Sequence, residues 1–538
     1  LTEKDFCSWS YTIDDLLRFL AEHSRTPLEL LQKKNHSRYF EEYFSQKGVN
    51  AKTVVVEYNY VDRDFLLDYA GYYARCFRKY SRHCARLHFF SIEFSEQEFE
   101  SVLMGNADQL LNQLKDKGSY LGFLVAKPIP YTVVGRTCLR TYEEAGTPRS
   151  YPNKRTYDVN LFGIELSVST LAFQEQDQVV SACATSALWS AFQATGKLFQ
   201  HNIPPPIEIT KFAYLVESEL EPRAMPNRGL STRQIFHAIR AVGLEPFRVN
   251  ASEEHVLKST VYGYLKAGIP LLMIFSIYDN QGEKAIYIGY HGVTITGFRL
   301  GSDMIQPYGD TSFQLVASRI NGLYAHDDQV GPFARMEFDG EAVSIEENGA
   351  VESVLSLSSS WQGEDGTPDK GRAVPDILIA PLYQKIRIPF ETIHDLVLKF
   401  DGLIRWISSE SIYDVPKGID WDVYLIRVGD LKSEILKRDD IPMEEKKSVL
   451  VESTPRFLWR ASGKVAESGS EFIDILFDAT EIEQGQLCHR IICYDKALNK
   501  ALPEMVDSDI LRERVLQNDP SVLSIVDQIA AQYGSDIS

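Results

Sequence analysis

The chain has 538 residues, 44% hydrophobic and 24% charged, with a formal net charge of −19. That length exceeds what one core can organise, and the composition is ordinary for a globular protein that needs no metal or disulfide staple. A surface this acidic repels phosphate backbones and anionic headgroups, which argues against nucleic acid or membrane lipid as partner.

In chain order, the first 118 residues read as a mostly helical domain. Thr12 and Asp15 form a cap ahead of Leu16, Leu17 and Leu20, which share a helical face. The Tyr- and Phe-rich stretch 58–80 reads as core, and Arg75, Arg78, Lys79, Arg82 and Arg86 as a solvated face. Ser95 and Glu98 open a second helix through Phe99, Leu103, Leu110 and Leu114, stopped at Gly118. From residue 119 to 345 the pattern turns to short apolar runs bounded by Pro and Gly, at 121–126, 131–134, 161–168, 271–277 and 285–298, which read as strands. Ser231 and Gln234 box the start of a scaffold helix that closes at Gly243. The run 346–375, rich in Ser, Gly and Asp, reads as a linker. Beyond it, 376–538 reads as an α+β accessory domain, amphipathic at 393–407 and strand-like at 423–428 and 472–477, in which Trp459, Asp474 and Asp478 carry no recognisable chemistry.

The seven cysteines, Cys7, Cys76, Cys84, Cys138, Cys183, Cys488 and Cys493, are odd in number and have no repeating spacing, the usage of a reducing compartment such as the cytoplasm. Cys76, His83, Cys84 and His88 fit no common zinc spacing, so no metal is expected. No apolar run reaches the roughly 18 residues of a membrane span, and no basic-then-apolar signal pattern stands at the start of the sequence.

Cys183 differs from the other six. Ala187, Leu188, Ala191 and Phe192 form a helical stripe just downstream, so Cys183 falls at the first turn of a helix. Unpaired N–H groups and the helix dipole there favour a thiolate, the nucleophilic form. A second segment runs from Gly268 and Pro270 through an apolar strand and a turn to Tyr290 and His291. Small or apolar residues then alternate with Thr294 and Thr296, as in a half-buried strand, so the imidazole is expected to be fixed by sheet packing, as a base requires.

A Gln-rich loop over 173–178, a small-residue helix beginning at Cys183, a Gly-x-Pro strand, and then His291, Gly292, Val293, Thr294, Ile295, Thr296, Gly297 and Phe298 together resemble the papain-like cysteine peptidase superfamily. The nearest likeness within it is to the double-glycine leader peptidases and related C39-like folds, over residues 173–333. The resemblance implies an α+β fold with a papain-like core and a triad in the order Cys, His, Asp. Its third member follows the histidine strand, where Asp327 is the choice and Asp328 the reserve. Strand parity favours Asp327, which shares the apolar side of Leu323 and Ala325, whereas His326 and Asp328 fall on the other. The family also carries an oxyanion-hole glutamine about six residues ahead of the cysteine. Asp177 occupies that position here, so Gln176 is favoured over the neighbouring Gln174 and Gln178. The implied activity is cleavage of a peptide or isopeptide bond in a peptide or protein, through an acyl-enzyme and without a cofactor. Transglutaminase-like acyl transfer, deamidation, and a silent papain-fold scaffold are the rivals, and the sequence leaves the oligomeric state open.

Overall fold

The computed structural model describes residues 5–143, 148–177, 179–215, 229–280, 285–302, 305, 307–308, 311–347, 350–359, 361, 371–410, 416, 418–482, 487–499 and 522–533. The chain is a mixed α+β protein of two compact units, and neither is continuous in sequence. Unit 1 comprises Leu1–Glu253, Gly268–Leu300 and Asn321–Leu382, and unit 2 comprises Glu254–Ala267, Gly301–Ile320 and Tyr383–Ser538.

Unit 1 begins with an antiparallel sheet of five strands in chain order, Phe6–Ser10, Thr53–Tyr60, Cys84–Phe90, Tyr120–Ala126 and Val134–Leu139. Helices Ile13–Ser24 and Asn35–Phe44 supply Leu16, Leu20, Phe40, Tyr43 and Phe44 to the core that covers Val54, Val56, Leu87, Phe89 and Leu124. The expected boundary at 118/119 therefore cuts through one sheet, and the expected helical domain is corrected: three of the five strands precede it. Strand Cys84–Phe90 is buried along its whole length, and such strands lack the alternation that betrays a half-buried one. The expected helix from Ser95 to Gly118 is also two helices, Glu96–Leu103 and Asp108–Lys115. Gly105, at φ +76°, lies in the break between them.

The second half of unit 1 is a barrel. Strands Leu271–Asp279, Ile286–Leu300, Ile320–Asp327, Gly331–Glu337, Leu357–Ser359 and Gly371–Tyr383 follow one another in hydrogen-bonded order, and the last pairs back onto the first, Met273 facing Leu378. Leu244–Asn250 and Arg149–Ser150 attach outside this ring. The run 346–375 is thus corrected as a linker. It carries Ala350–Leu355, the stave Leu357–Ser359 and the start of the closing stave, while residues 360 and 362–370 fall outside the described ones. Helix Cys183–Phe199 lies on the barrel, buried along most of its length.

Unit 2 is a sheet ordered Gln314–Leu315, Ile419–Arg427, Phe457–Val465, Glu471–Asp478 and Cys488–Cys493, flanked by helices. The first pairing is parallel and the others antiparallel. Its polar residues are structural: Asp474 is buried against Arg460 at 2.7 Å, Asp478 caps a turn at Thr480, and Trp459 donates to the Ile388 carbonyl at 2.8 Å. The accessory domain expected over 376–538 is corrected as incomplete, because this unit also takes in 254–267 and 301–320.

Candidate active site

Cys183 is the first residue of its helix, and the cap residue Ala182 is extended and offers no side-chain acceptor. The loop before it is pinned by its own acids. Glu175 is ion-paired with Lys34 and accepts the Val134 N–H at 3.1 Å. Asp177 accepts the N–H groups of Val179 and Val180 and the hydroxyl proton of Tyr73, so it serves the turn rather than the site. Cys183 is half-buried, whereas Cys84, Cys138, Cys488 and Cys493 are buried, and burial pushes all four thiols up, Cys138 and Cys493 to about 12.

Two features of the histidine strand, Ile286–Leu300, bring it against this helix. Gly292 has no side chain where a Cβ would stand 3.9 Å from the Ala184 Cα and 2.9 Å from the Ile274 Cδ1. Thr294, fully buried, donates its hydroxyl to the Ala187 carbonyl at 2.6 Å. Sequence reading noted both residues as part of a pattern without seeing that they seat the helix on the strand.

His291 is buried, and its Nε2 lies 2.9 Å from Asp327 Oδ1 and 3.8 Å from Asp328 Oδ1. Burial works to lower its pKa. The Asp327 carboxylate, the hydrogen bond to it, and a further hydrogen bond with Cys183 outweigh burial and hold the imidazole well above its ordinary value. With Nε2 committed to Asp327, Nδ1 is the nitrogen left for the thiol. Burial would raise the Asp327 carboxyl, but the His291 charge and hydrogen bonds from His291, the Gln329 N–H at 2.9 Å and the Trp361 Nε1–H at 3.0 Å keep it below the usual carboxylate value. Asp328 stands the other way: burial pushes it up to about 7, and its Oδ2 has no hydrogen-bond partner among the described residues.

Sequence reading missed three supporting residues. Trp361 holds the second oxygen of Asp327 and stacks on Phe275 at 5.8 Å, and Phe275 meets the His291 ring edge-on at 5.4 Å. Together they fix the imidazole from two sides. His36, from the helix Asn35–Phe44, is buried near the Asp328 backbone, and burial lowers it to about 4. The only available signal for Trp361 was a single large aromatic in a run of small polar residues. His36 gave none.

The structure thus brings Cys183, His291 and Asp327 together and leaves the glutamine open. Gln176 is half-buried in the loop and makes no hydrogen bond among the described residues, Gln174 is buried with its Nε2 unpartnered, and Gln178 lies outside the described residues. Among the described residues, His291, Asp327 and Asp328 form the one group tight enough to hold a cation. A cation there would have to displace the proton shared by His291 and Asp327, so the arrangement reads as a hydrogen-bonded base. Of the earlier zinc candidates, His88 is bonded to the Tyr120 hydroxyl at 2.9 Å and lies near Glu57, and Cys84 is buried. Arg86, expected on a solvated face, is buried over the Tyr60 ring at 4.2 Å and paired with Glu57. Among the described residues no helix is long and apolar enough to cross a membrane. No protein-family model matches this chain, and no curated protein matches it in sequence.

Proposed function

We propose that this protein is a papain-like cysteine hydrolase that cleaves a peptide or isopeptide bond in a peptide or protein. One observation carries the reading. A half-buried cysteine at an uncapped helix start acts on the charge of a buried histidine, and that histidine is held at 2.9 Å by a carboxylate with two further donors of its own.

In this mechanism His291 takes the Cys183 proton as the sulfur forms a bond to the substrate carbonyl carbon. Asp327 stabilises the imidazolium and fixes its tautomer. The backbone N–H of Cys183, at the free helix end, donates to the tetrahedral oxygen, with the Gln176 side chain as second donor. The C–N bond breaks as His291 returns the proton to the leaving amine. Water, deprotonated by His291, then splits the thioester. The chemistry needs no cofactor. Seven free cysteines suit a reducing, cytoplasmic setting.

The test combines labelling and turnover. Limiting iodoacetamide at neutral pH, followed by peptide mapping, should label Cys183 before the other six cysteines. A peptide substrate cleaved in ¹⁸O-water should take up the label in its new carboxylate, and Cys183→Ala should abolish this. First labelling at another cysteine would overturn the nucleophile assignment. Product mass showing amine addition would replace hydrolysis with acyl transfer.

A further inference from the structure

In a chain with a net charge of −19, residues 69–92 hold no Asp or Glu and carry Arg75, Arg78, Lys79, Arg82 and Arg86. Arg86 is buried and paired with Glu57. Arg78 and Lys79 are exposed, and with Arg25, from the end of the helix Ile13–Ser24, they line a cavity of about 280 Å³ within unit 1. Among the described residues no Asp or Glu lines it. Cations scattered over a solvated face need no ligand, but three that converge on a concavity repel one another until an anion joins them.

The cavity sits at an irregularity of the first sheet. Strands Thr53–Tyr60 and Cys84–Phe90 pair Glu57 with Arg86 and Tyr60 with Cys84, so Tyr58 and Asn59 stand against Ala85 alone. Such a bulge bends its strand, and Asn59 takes φ +56°, which Asn tolerates better than most residues. Tyr58 and Asn59 both line the cavity. The loop that brings the cations is anchored, since Tyr80 meets Tyr73 edge-on at 5.2 Å and Arg78 lies over the Tyr80 ring at 5.7 Å. The acids flanking the bulge are committed elsewhere, Glu57 to Arg86 at 2.7 Å and Asp62 to Arg136 at 3.2 Å. Glu22 and Glu96 act on the Tyr58 hydroxyl from outside the cavity. Arg25, Arg78 and Lys79 form no ion pair among the described residues.

We propose that this cavity is a binding site for a phosphate monoester, held by Arg25, Arg78 and Lys79. Burial keeps His23, also on its wall, below its ordinary value, so the charge comes from the three long side chains. Three positive charges match a dianion, whereas a carboxylate or a sulfate ester would answer only one of them. Each arginine fork can give two parallel N–H donors to phosphate oxygens, and the lysine adds a compact charge. Tyr58, Tyr80, Pro128 and Pro130 supply an apolar wall for the body that bears the phosphate. The volume falls just below the roughly 300–1,000 Å³ of drug-sized sites, so that body is small. Phe77, next to Arg78 in the chain, is fully exposed, which suits a phosphate presented by a lipid headgroup as well as a free one. The site is independent of the hydrolase reading.

The experiment titrates the full chain with phenyl phosphate by calorimetry, at about 0.15 M salt so that distant charges are screened. Phenyl sulfate, of the same shape with one charge, should bind at least tenfold more weakly. The double variant Arg25→Gln, Arg78→Gln should lose at least tenfold in affinity. A second double variant, Arg75→Gln, Arg82→Gln, removes the same charge from residues that do not line the cavity, and should stay within threefold of the parent. Lys79→Gln alone, with a loss of at least threefold, serves if the first variant fails to fold. Vesicles of phosphatidylcholine with phosphatidylinositol 4-phosphate separate the two sources. Co-sedimentation that Arg25→Gln, Arg78→Gln abolishes would assign the phosphate to a lipid, and phenyl phosphate binding without co-sedimentation would assign it to a free molecule. Equal losses in the two double variants would reduce the cavity to a diffuse basic face and overturn the proposal. Phenyl sulfate binding as tightly as phenyl phosphate, or failure of both phenyl phosphate and the vesicles to bind, would also overturn it.

Discussion

The two adjacent aspartates at 327 and 328 are buried side by side and hold opposite charge preferences. Among the described residues Asp327 has three donors on its carboxylate, whereas one Asp328 oxygen has none. Asp327→Asn should therefore lower kcat/KM by roughly three to four orders of magnitude, because an amide no longer fixes the productive tautomer. Circular dichroism should be unchanged, and Asp328→Asn should cost far less. A larger loss in Asp328→Asn would reverse the assignment. Asp328 also makes a prediction about stability. Its folded value near 7 lies above an unfolded value of about 3.9, so the native state holds the extra proton. Its contribution to folding is then complete below pH of about 4 and is lost as pH rises toward 7, where ionisation sets it against Asp327 and Glu175. Asp328→Asn should raise Tm more at pH 8 than at pH 5, and an equal shift at both would count against this account. At this scale the site was legible where local pattern is informative. A helix start marks Cys183, but His291 stands sixth in its strand instead of opening it, and the strand of Asp327 is buried on both faces, with Asp328 also 3.8 Å from His291, so parity alone does not separate the two aspartates. Trp361 was not legible, because nothing in its neighbours says that a distant carboxylate needs a donor.

The elements that bear the site are joined by a missing side chain and one hydroxyl. Thr294→Val keeps the shape of residue 294 but removes its donation to the Ala187 carbonyl, which should cost about 1 kcal/mol in denaturant unfolding. Gly292→Val should do something different. A branched side chain next to Ala184 would push the helix off the strand and separate sulfur from imidazole, so thiol reactivity and turnover should fall together. Near-parental labelling of Cys183 in Gly292→Val would show that the helix has room to spare. Elements were readable from caps, as at Thr12, Ser95 and Ser231, where a side chain answers a backbone N–H three residues on. Fully buried strands were less readable, because Cys84–Phe90 has no polar face to set a period.

For the whole molecule, the units do not follow the order of the chain. A chain starting at 119 would lack three strands of a five-stranded sheet, and one ending at 345 would lack two staves of the barrel and Trp361. Neither should give a soluble, cooperatively unfolding protein, as soluble yield and calorimetry would show, and a stable 119–538 fragment would contradict the sheet. Linear boundaries drawn from composition failed here because segments far apart in sequence share a sheet, and composition carries no information about pairing partners. The closing stave has a consequence for synthesis. On the ribosome, residues 183, 291 and 327 emerge well before Trp361 and the strand Gly371–Tyr383 that seals the ring. The growing polypeptide therefore carries Cys183, His291 and Asp327 before it carries the tryptophan that holds Asp327 or the strand that closes the ring, an order of appearance written into the sequence itself.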